Sequence, residues 1–139
     1  MKGSLCFWIL FIQTTIYSQT ADSVYLELKK QNVKHPEIVL AQSIEETGWY
    51  KCKDCSLNRN NIFGFRYRKK YLVFDNWKEA VTYYKNWQDR HYVQEDHDTY
   101  YDFLIYRHYA SNPRYTQNVK RIERTIINMK LWDWWNNYI

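Results

Sequence analysis

Glu46 is the residue whose place in the chain most invites chemistry. Pro36 suits the first position of a helix, where a missing N–H costs nothing. Gly48 suits the left-handed residue that closes one. A helix between them, running through Val39, Leu40 and Ile44, puts Glu46 in its last turn. The negative end of the helix dipole lies there and disfavours a carboxylate. Partial burial among Trp49, Tyr50 and Phe63 would push the same way. Both effects raise the pKa, and a carboxylic acid that keeps its proton near neutral pH can hand it to a leaving oxygen. A solvated surface Glu beside Glu45 is the plainer alternative, and spacing alone does not choose between the two. Gln42, one helical turn earlier, is placed to orient Glu46.

Other reactive types offer less. Cys52 and Cys55 form a CxxC pair without a second one to complete a zinc site. A small local disulfide is the preferred reading, and a reactive redox pair the minor one. The four histidines, His35, His91, His97 and His108, show no metal-binding spacing. No metal and no organic cofactor is expected.

The elements that must position these residues are mostly helical, because Gly48 and Gly64 are the only glycines, and Pro36 and Pro113 the only prolines, after the first residues. Asp22 is read as the cap of a first helix reaching about Gln31. Residues 63–74, rich in Phe, Tyr and Val around Arg68-Lys69-Lys70, read as a short β-hairpin or irregular lobe. Asn76 and Glu79 make an N-x-x-E capping box. Trp77, Ala80, Val81, Tyr84 and Trp87 follow at helical spacing. Asp98 is read as opening another helix, with Tyr101, Leu104, Ile105 and His108 on one face. Asn112-Pro113 repeats the cap-then-proline signal. Tyr115, Val119, Ile122, Ile126 and Met129 step along a last long helix. The aromatic tail, residues 131–139, is expected to fold back onto the domain.

The chain has 139 residues, enough for one ordinary domain. Lys2, the apolar run LCFWILFI at residues 5–12, and the small polar residues up to Thr20 have the layout of a secretory signal peptide. The run is too short to span a bilayer. The division is therefore 1–19 signal peptide and 20–139 domain. A secreted or periplasmic location follows, with no stable membrane insertion after cleavage. The formal charge is +5, one less without Lys2, which suits an anionic partner without choosing one. Abundant Tyr and Trp suit sugar rings, whose flat faces pack on aromatic ones, although many of these rings belong to the core.

Three blocks carry a resemblance. Residues 41–49, AQSIEETGW, look like the A-Q-x-x-x-E-[ST]-G-W motif of the bacterial glucosaminidases of glycoside hydrolase family 73. Residues 60–64, NNIFG, resemble that family's N-N-[IL]-F-G block. Residues 109–115, YASNPRY, resemble its Y-A-[TS]-D-P-x-Y block. The three stand in the family's order and, with the helix between them, cover most of the chain after residue 19. The resemblance implies a mainly α (α+β), lysozyme-like single domain with a short β-hairpin lobe. It implies a peptidoglycan hydrolase, an endo-β-N-acetylglucosaminidase acting on peptidoglycan glycan strands with Glu46 as general acid. Tyr109 and Tyr115 match the tyrosine block, one of whose rings faces that acid. Gln42, Trp49, Asn61 and Phe63 are the expected substrate-binding positions.

The departures matter as much. Tyr50 stands where many members have Gly, and the CxxC follows, read as closing a loop over the cleft. The second carboxylate of longer members comes from a lobe that here is short and basic. Asp75 and Glu79 are the nearest candidates, with capping the plainer role of Glu79, and Asp54 a weaker third. Either Asp75 or Glu79 activates water on the far face of the sugar, or the substrate's own N-acetyl group is the nucleophile. A glycan-binding module without turnover is the alternative function. A nucleic-acid binder is a distant third, which the signal peptide opposes. A monomer is expected.

Overall fold

The computed structural model describes residues 19–129. The rest of the expected signal peptide and the aromatic tail lie outside these residues. Five α-helices carry the described chain: α1 (Ala21–Lys30), α2 (Pro36–Thr47), α3 (Trp77–His91), α4 (Tyr100–Tyr106) and α5 (Tyr115–Asn128). Two short antiparallel strands, β1 (Arg66–Tyr67) and β2 (Lys70–Tyr71), pair Arg66 with Tyr71 and Tyr67 with Lys70. This is the mainly helical, lysozyme-like architecture with a small β lobe that the motifs imply.

Helix α2 is the centre. Ile38, Val39, Leu40, Ala41, Gln42, Ser43, Ile44 and Thr47 are all buried, so the helix is covered on most of its circumference. It packs against α5 on one side and α1 on the other, while α1 also meets α3 and α4 meets α5. As read from the sequence, Pro36 starts α2 and Gly48 closes it, with φ +54 and ψ +55.

Three helix starts differ from the sequence reading. Thr20, not Asp22, caps α1, because its hydroxyl accepts from the Ser23 N–H while the Ser23 hydroxyl accepts from the Thr20 N–H. Thr99, not Asp98, caps α4, in the same reciprocal arrangement with Asp102. Helix α5 begins at Tyr115 behind Arg114, without a side-chain cap. Asn112 accepts from the Arg114 N–H and Pro113 stays in the turn before the helix. The buried face of α4 is Tyr100, Tyr101, Phe103 and Leu104. Ile105 and His108, expected on that face, are exposed. Likewise Met129 is exposed at the end of α5, where Tyr115, Val119 and Ile126 are buried.

Asn76 caps α3 by accepting from the Lys78 and Glu79 N–H groups. Glu79 reaches back one residue further than a capping box requires, to the Asp75 N–H at 3.1 Å. The hairpin turns through Arg68 and Lys69, both at positive φ. That is the hand matching the twist of paired strands, usually supplied by Asn and Gly.

Candidate active site

The C-terminal turn of α2, the β lobe, α3 and the connection from α4 to α5 enclose one cleft of about 440 Å³. Glu46, Phe63, Gly64, Phe65, Arg66, Tyr71, Trp87 and residues 107–111 line it. Among these Glu46 is the only acid.

Glu46 is half-buried in the wall of the cleft. No hydrogen bond reaches its carboxyl among the described residues. Burial is the largest influence on it and raises its pKa; the neighbouring Glu45 charge adds to this, and Arg66 opposes it. The result is pushed up to about 7. A carboxyl so placed holds a proton near neutral pH and has it free to give.

The chain comes unusually close to this group at Gly64. A Cβ there would lie 2.5 Å from Glu46 Oε2, and Gly64 has φ +68. The positive φ favours glycine, and any side chain there would have to push the Glu46 carboxyl aside. The glycine ending the NNIFG block thus lets the backbone pass beneath the acid.

Under the cleft lies a buried, uncharged hydrogen-bond chain. Gln88 Nε2 donates to the Tyr100 hydroxyl at 2.9 Å. Tyr84 donates its one proton to Gln42 Oε1 at 2.6 Å, so at the 2.7 Å contact between Tyr84 and Tyr100 it is Tyr100 that donates. Gln42 Nε2 then donates to Tyr115 at 3.1 Å. The tyrosine rings pack around it: Tyr109 stacks on Tyr115 with centroids 5.7 Å apart. Burial pushes the Tyr84, Tyr109 and Tyr115 phenols well above their ordinary range, and the Glu46 charge pushes the last two further. All stay neutral.

The predicted site residues therefore separate. Glu46, Phe63 and Tyr109 meet in the cleft. Of the two tyrosines, Tyr109 is the one that lines it, donating its hydroxyl to the Phe63 carbonyl at 3.1 Å. Tyr115 lies buried behind. Gln42 and Asn61, expected at the substrate, are 0% exposed. Gln42 does not orient Glu46 by a hydrogen bond; it joins Tyr84 to Tyr115. Asn61 ties the lobe together, donating to the Phe65 and Leu72 carbonyls and accepting from the Phe65 N–H. Trp49 is exposed and outside the cleft lining.

Asp54, Asp75 and Glu79 do not line the cleft either, and Glu79 is held at the start of α3. Cys52 and Cys55 are joined in a disulfide. That loop follows the end of α2, through Lys51 and Cys52 N–H groups that donate to the Thr47 carbonyl. It does not wall the cleft. Tyr50 takes φ +60, a conformation easiest for Gly. Its hydroxyl meets that of Ser43, whose own proton goes to the Leu40 carbonyl. This bond and the partly buried ring hold the turn after Glu46.

Sequence reasoning missed Trp87, Arg107 and His108 as cleft residues. Their signal was faint, since a helical aromatic stripe and a polar connection look alike whether or not they face a cleft. Among the described residues no group of three or more His, Cys, Asp or Glu is placed to hold a metal ion. No helix of the described residues is long and apolar enough to cross a membrane.

A family model, Glucosaminidase, described as mannosyl-glycoprotein endo-beta-N-acetylglucosaminidase, matches residues 21–128. No curated protein and no solved structure gave a match.

Proposed function

The chain belongs to the glucosaminidase family, and from that premise we propose that it is a secreted peptidoglycan hydrolase. It cuts the β-1,4 bond on the reducing side of GlcNAc, before MurNAc, with Glu46 as general acid. The observation that carries this reading is Glu46 itself, a carboxyl raised to about 7, without a hydrogen-bond donor, in the wall of a cleft large enough for sugar rings.

With Glu46 the only acid in the lining among the described residues, substrate assistance is the better-supported route. The N-acetyl carbonyl oxygen of GlcNAc attacks the anomeric carbon. The bond to the glycosidic oxygen breaks, and that oxygen takes the Glu46 proton. The resulting oxazolinium ring is opened by water, which returns a proton to the Glu46 carboxylate. The configuration at the anomeric carbon is retained. Asp75 or Glu79 as base would instead require movement toward the cleft and would invert it. Tyr109 packs beside the acid and, staying neutral, does not compete for its proton.

The test is a digest of purified peptidoglycan by the protein and by Glu46→Gln, with products reduced and read by mass spectrometry. Fragments ending in reduced GlcNAc, lost with Glu46→Gln, are expected. Fragments ending in reduced MurNAc would move the cut to the other bond. Binding by both proteins without fragments would favour a glycan-binding module, a reading the lone carboxylate motivates.

A further inference from the structure

Two cations line the cleft wall, and beyond the pull of Arg66 on Glu46 the reaction above gives them no part. Arg66 comes from β1 and Arg107 from the end of α4, so distant parts of the chain deliver both to the cleft that holds Glu46. Resting on the hydrolase reading, we propose that Arg66 and Arg107 form an anion subsite that takes a carboxylate substituent of the glycan. Charge on the substrate would then select what is cut, as well as ring shape.

A surface arginine is ordinarily a solvated charge. Arg66 is more constrained. Its guanidinium sits 4.0 Å from the centroid of the Tyr71 ring and donates to that residue's hydroxyl. Arg59 approaches the same ring at 5.9 Å. Stacking of this kind fixes the planar fork while leaving donors free, and a fixed fork suits a carboxylate. Tyr71 lines the cleft too.

Among the described residues neither arginine forms an ion pair with a carboxylate. The ion pairs among the described residues are Lys78 with Glu27 and Lys85 with Asp89. Glu46, the one acid in the lining, feels the Arg66 charge but keeps a raised pKa. At neutral pH the two arginines therefore make the wall cationic. The exposed tip, Arg68, Lys69 and Lys70, extends the same sign outward.

The placement links recognition to the acid. Arg66 pulls on Glu46 toward its charged form. An anion seated on Arg66 neutralises that pull, so Glu46 holds its proton better with a charged substrate than with a neutral one. GlcNAc oligomers offer shape without charge. Peptide-free GlcNAc–MurNAc strands carry lactyl carboxylates close to the scissile bond.

The experiment compares such strands before and after amide coupling of their carboxylates to methylamine. It measures kcat/KM across pH for the full protein, Arg66→Gln, Arg107→Gln and the control Arg68→Gln. Binding to both strands by Glu46→Gln is measured alongside. The wild type should favour the native strands about tenfold, the worth of a charge-assisted hydrogen bond. Arg66→Gln and Arg107→Gln should reduce that preference to within about twofold, while Arg68→Gln keeps it. The alkaline limb of the wild-type profile should lie at higher pH with native strands than with coupled ones. Equal rates on both strands, or a preference unchanged in Arg66→Gln and Arg107→Gln, would overturn the subsite. Absent turnover would fail the hydrolase reading alone. In that case preferential binding of native strands by Glu46→Gln supports the subsite, and equal binding overturns it.

Discussion

The floor and the lobe of the cleft are built on opposite terms. The floor, Gln88, Tyr100, Tyr84, Gln42 and Tyr115, is buried, neutral and joined donor to acceptor along its length. The lobe has strands of two residues, an exposed tip and side chains of one sign. Glu46 and Gly64 sit at the junction. The floor keeps charge away from Glu46 except for its own neighbours, and so lets burial raise its pKa. The lobe brings charge close, through Arg66, and so moderates it. A buried network tolerates few changes because each group left unpaired costs free energy. An exposed hairpin tolerates many.

The largest effect belongs to the junction. Glu46→Gln should lower kcat/KM on peptidoglycan by at least about 10³-fold, within the range for general acids, in the digest described above. The same variant should be more stable than wild type above neutral pH. The sign follows from protons: the folded state binds Glu46's proton up to about 7 and the unfolded chain only to about 4.5. Wild-type stability therefore falls as pH rises between those values, by up to about 3 kcal/mol. Urea midpoints for the two proteins at pH 4.5 and pH 8 measure it; a constant difference would show that Glu46 is not buried as described. Activity should fall with an apparent pKa near 7 on the alkaline side.

Next comes the floor. Gln42→Leu leaves the Tyr84 proton without its acceptor and Tyr115 without its donor, and should cost about 3 kcal/mol in chemical denaturation. A loss below about 0.5 kcal/mol would break the contrast, making the floor as permissive as the lobe. Gly64→Ala should cost about 1–2 kcal/mol in stability through its φ. It should lower activity more than that loss explains, because the added Cβ must displace the Glu46 carboxyl. The smallest effect lies at the hairpin tip. Arg68→Asn with Lys69→Gly should be neutral or raise stability by up to about 1 kcal/mol, since both positions have positive φ. A clear loss would mean that these side chains hold the lobe.

Which parts were legible in the sequence follows from what fixes each residue. Pro36 and Gly48 act through their own backbone chemistry, so the ends of α2, and with them the placement of Glu46, could be read directly. The starts of α1 and α4 were misplaced because Thr20 and Thr99 stand close to Asp22 and Asp98, and any of these can cap. Which one does depends on a partner three residues on, Ser23 or Asp102. Gln42 and Asn61 were misread for a deeper reason. A polar residue in a motif looks alike whether it meets ligand or completes an interior network, and their partners, Tyr84, Tyr115, Phe65 and Leu72, come from other segments. Arg107 reaches the cleft only through the packing of α4 on α5, which no local pattern encodes.

The Tyr109 hydroxyl spends its one proton on the Phe63 carbonyl. That bond is a dead end for proton traffic, because a carbonyl has nothing to pass on. Among the described residues no hydrogen bond joins Glu46 to the neutral phenols behind it. Whatever it gives away must return from the mouth of the cleft. In the proposed reaction the departing sugar occupies that route until it leaves. On that reading, clearance of the leaving half would come before the incoming water.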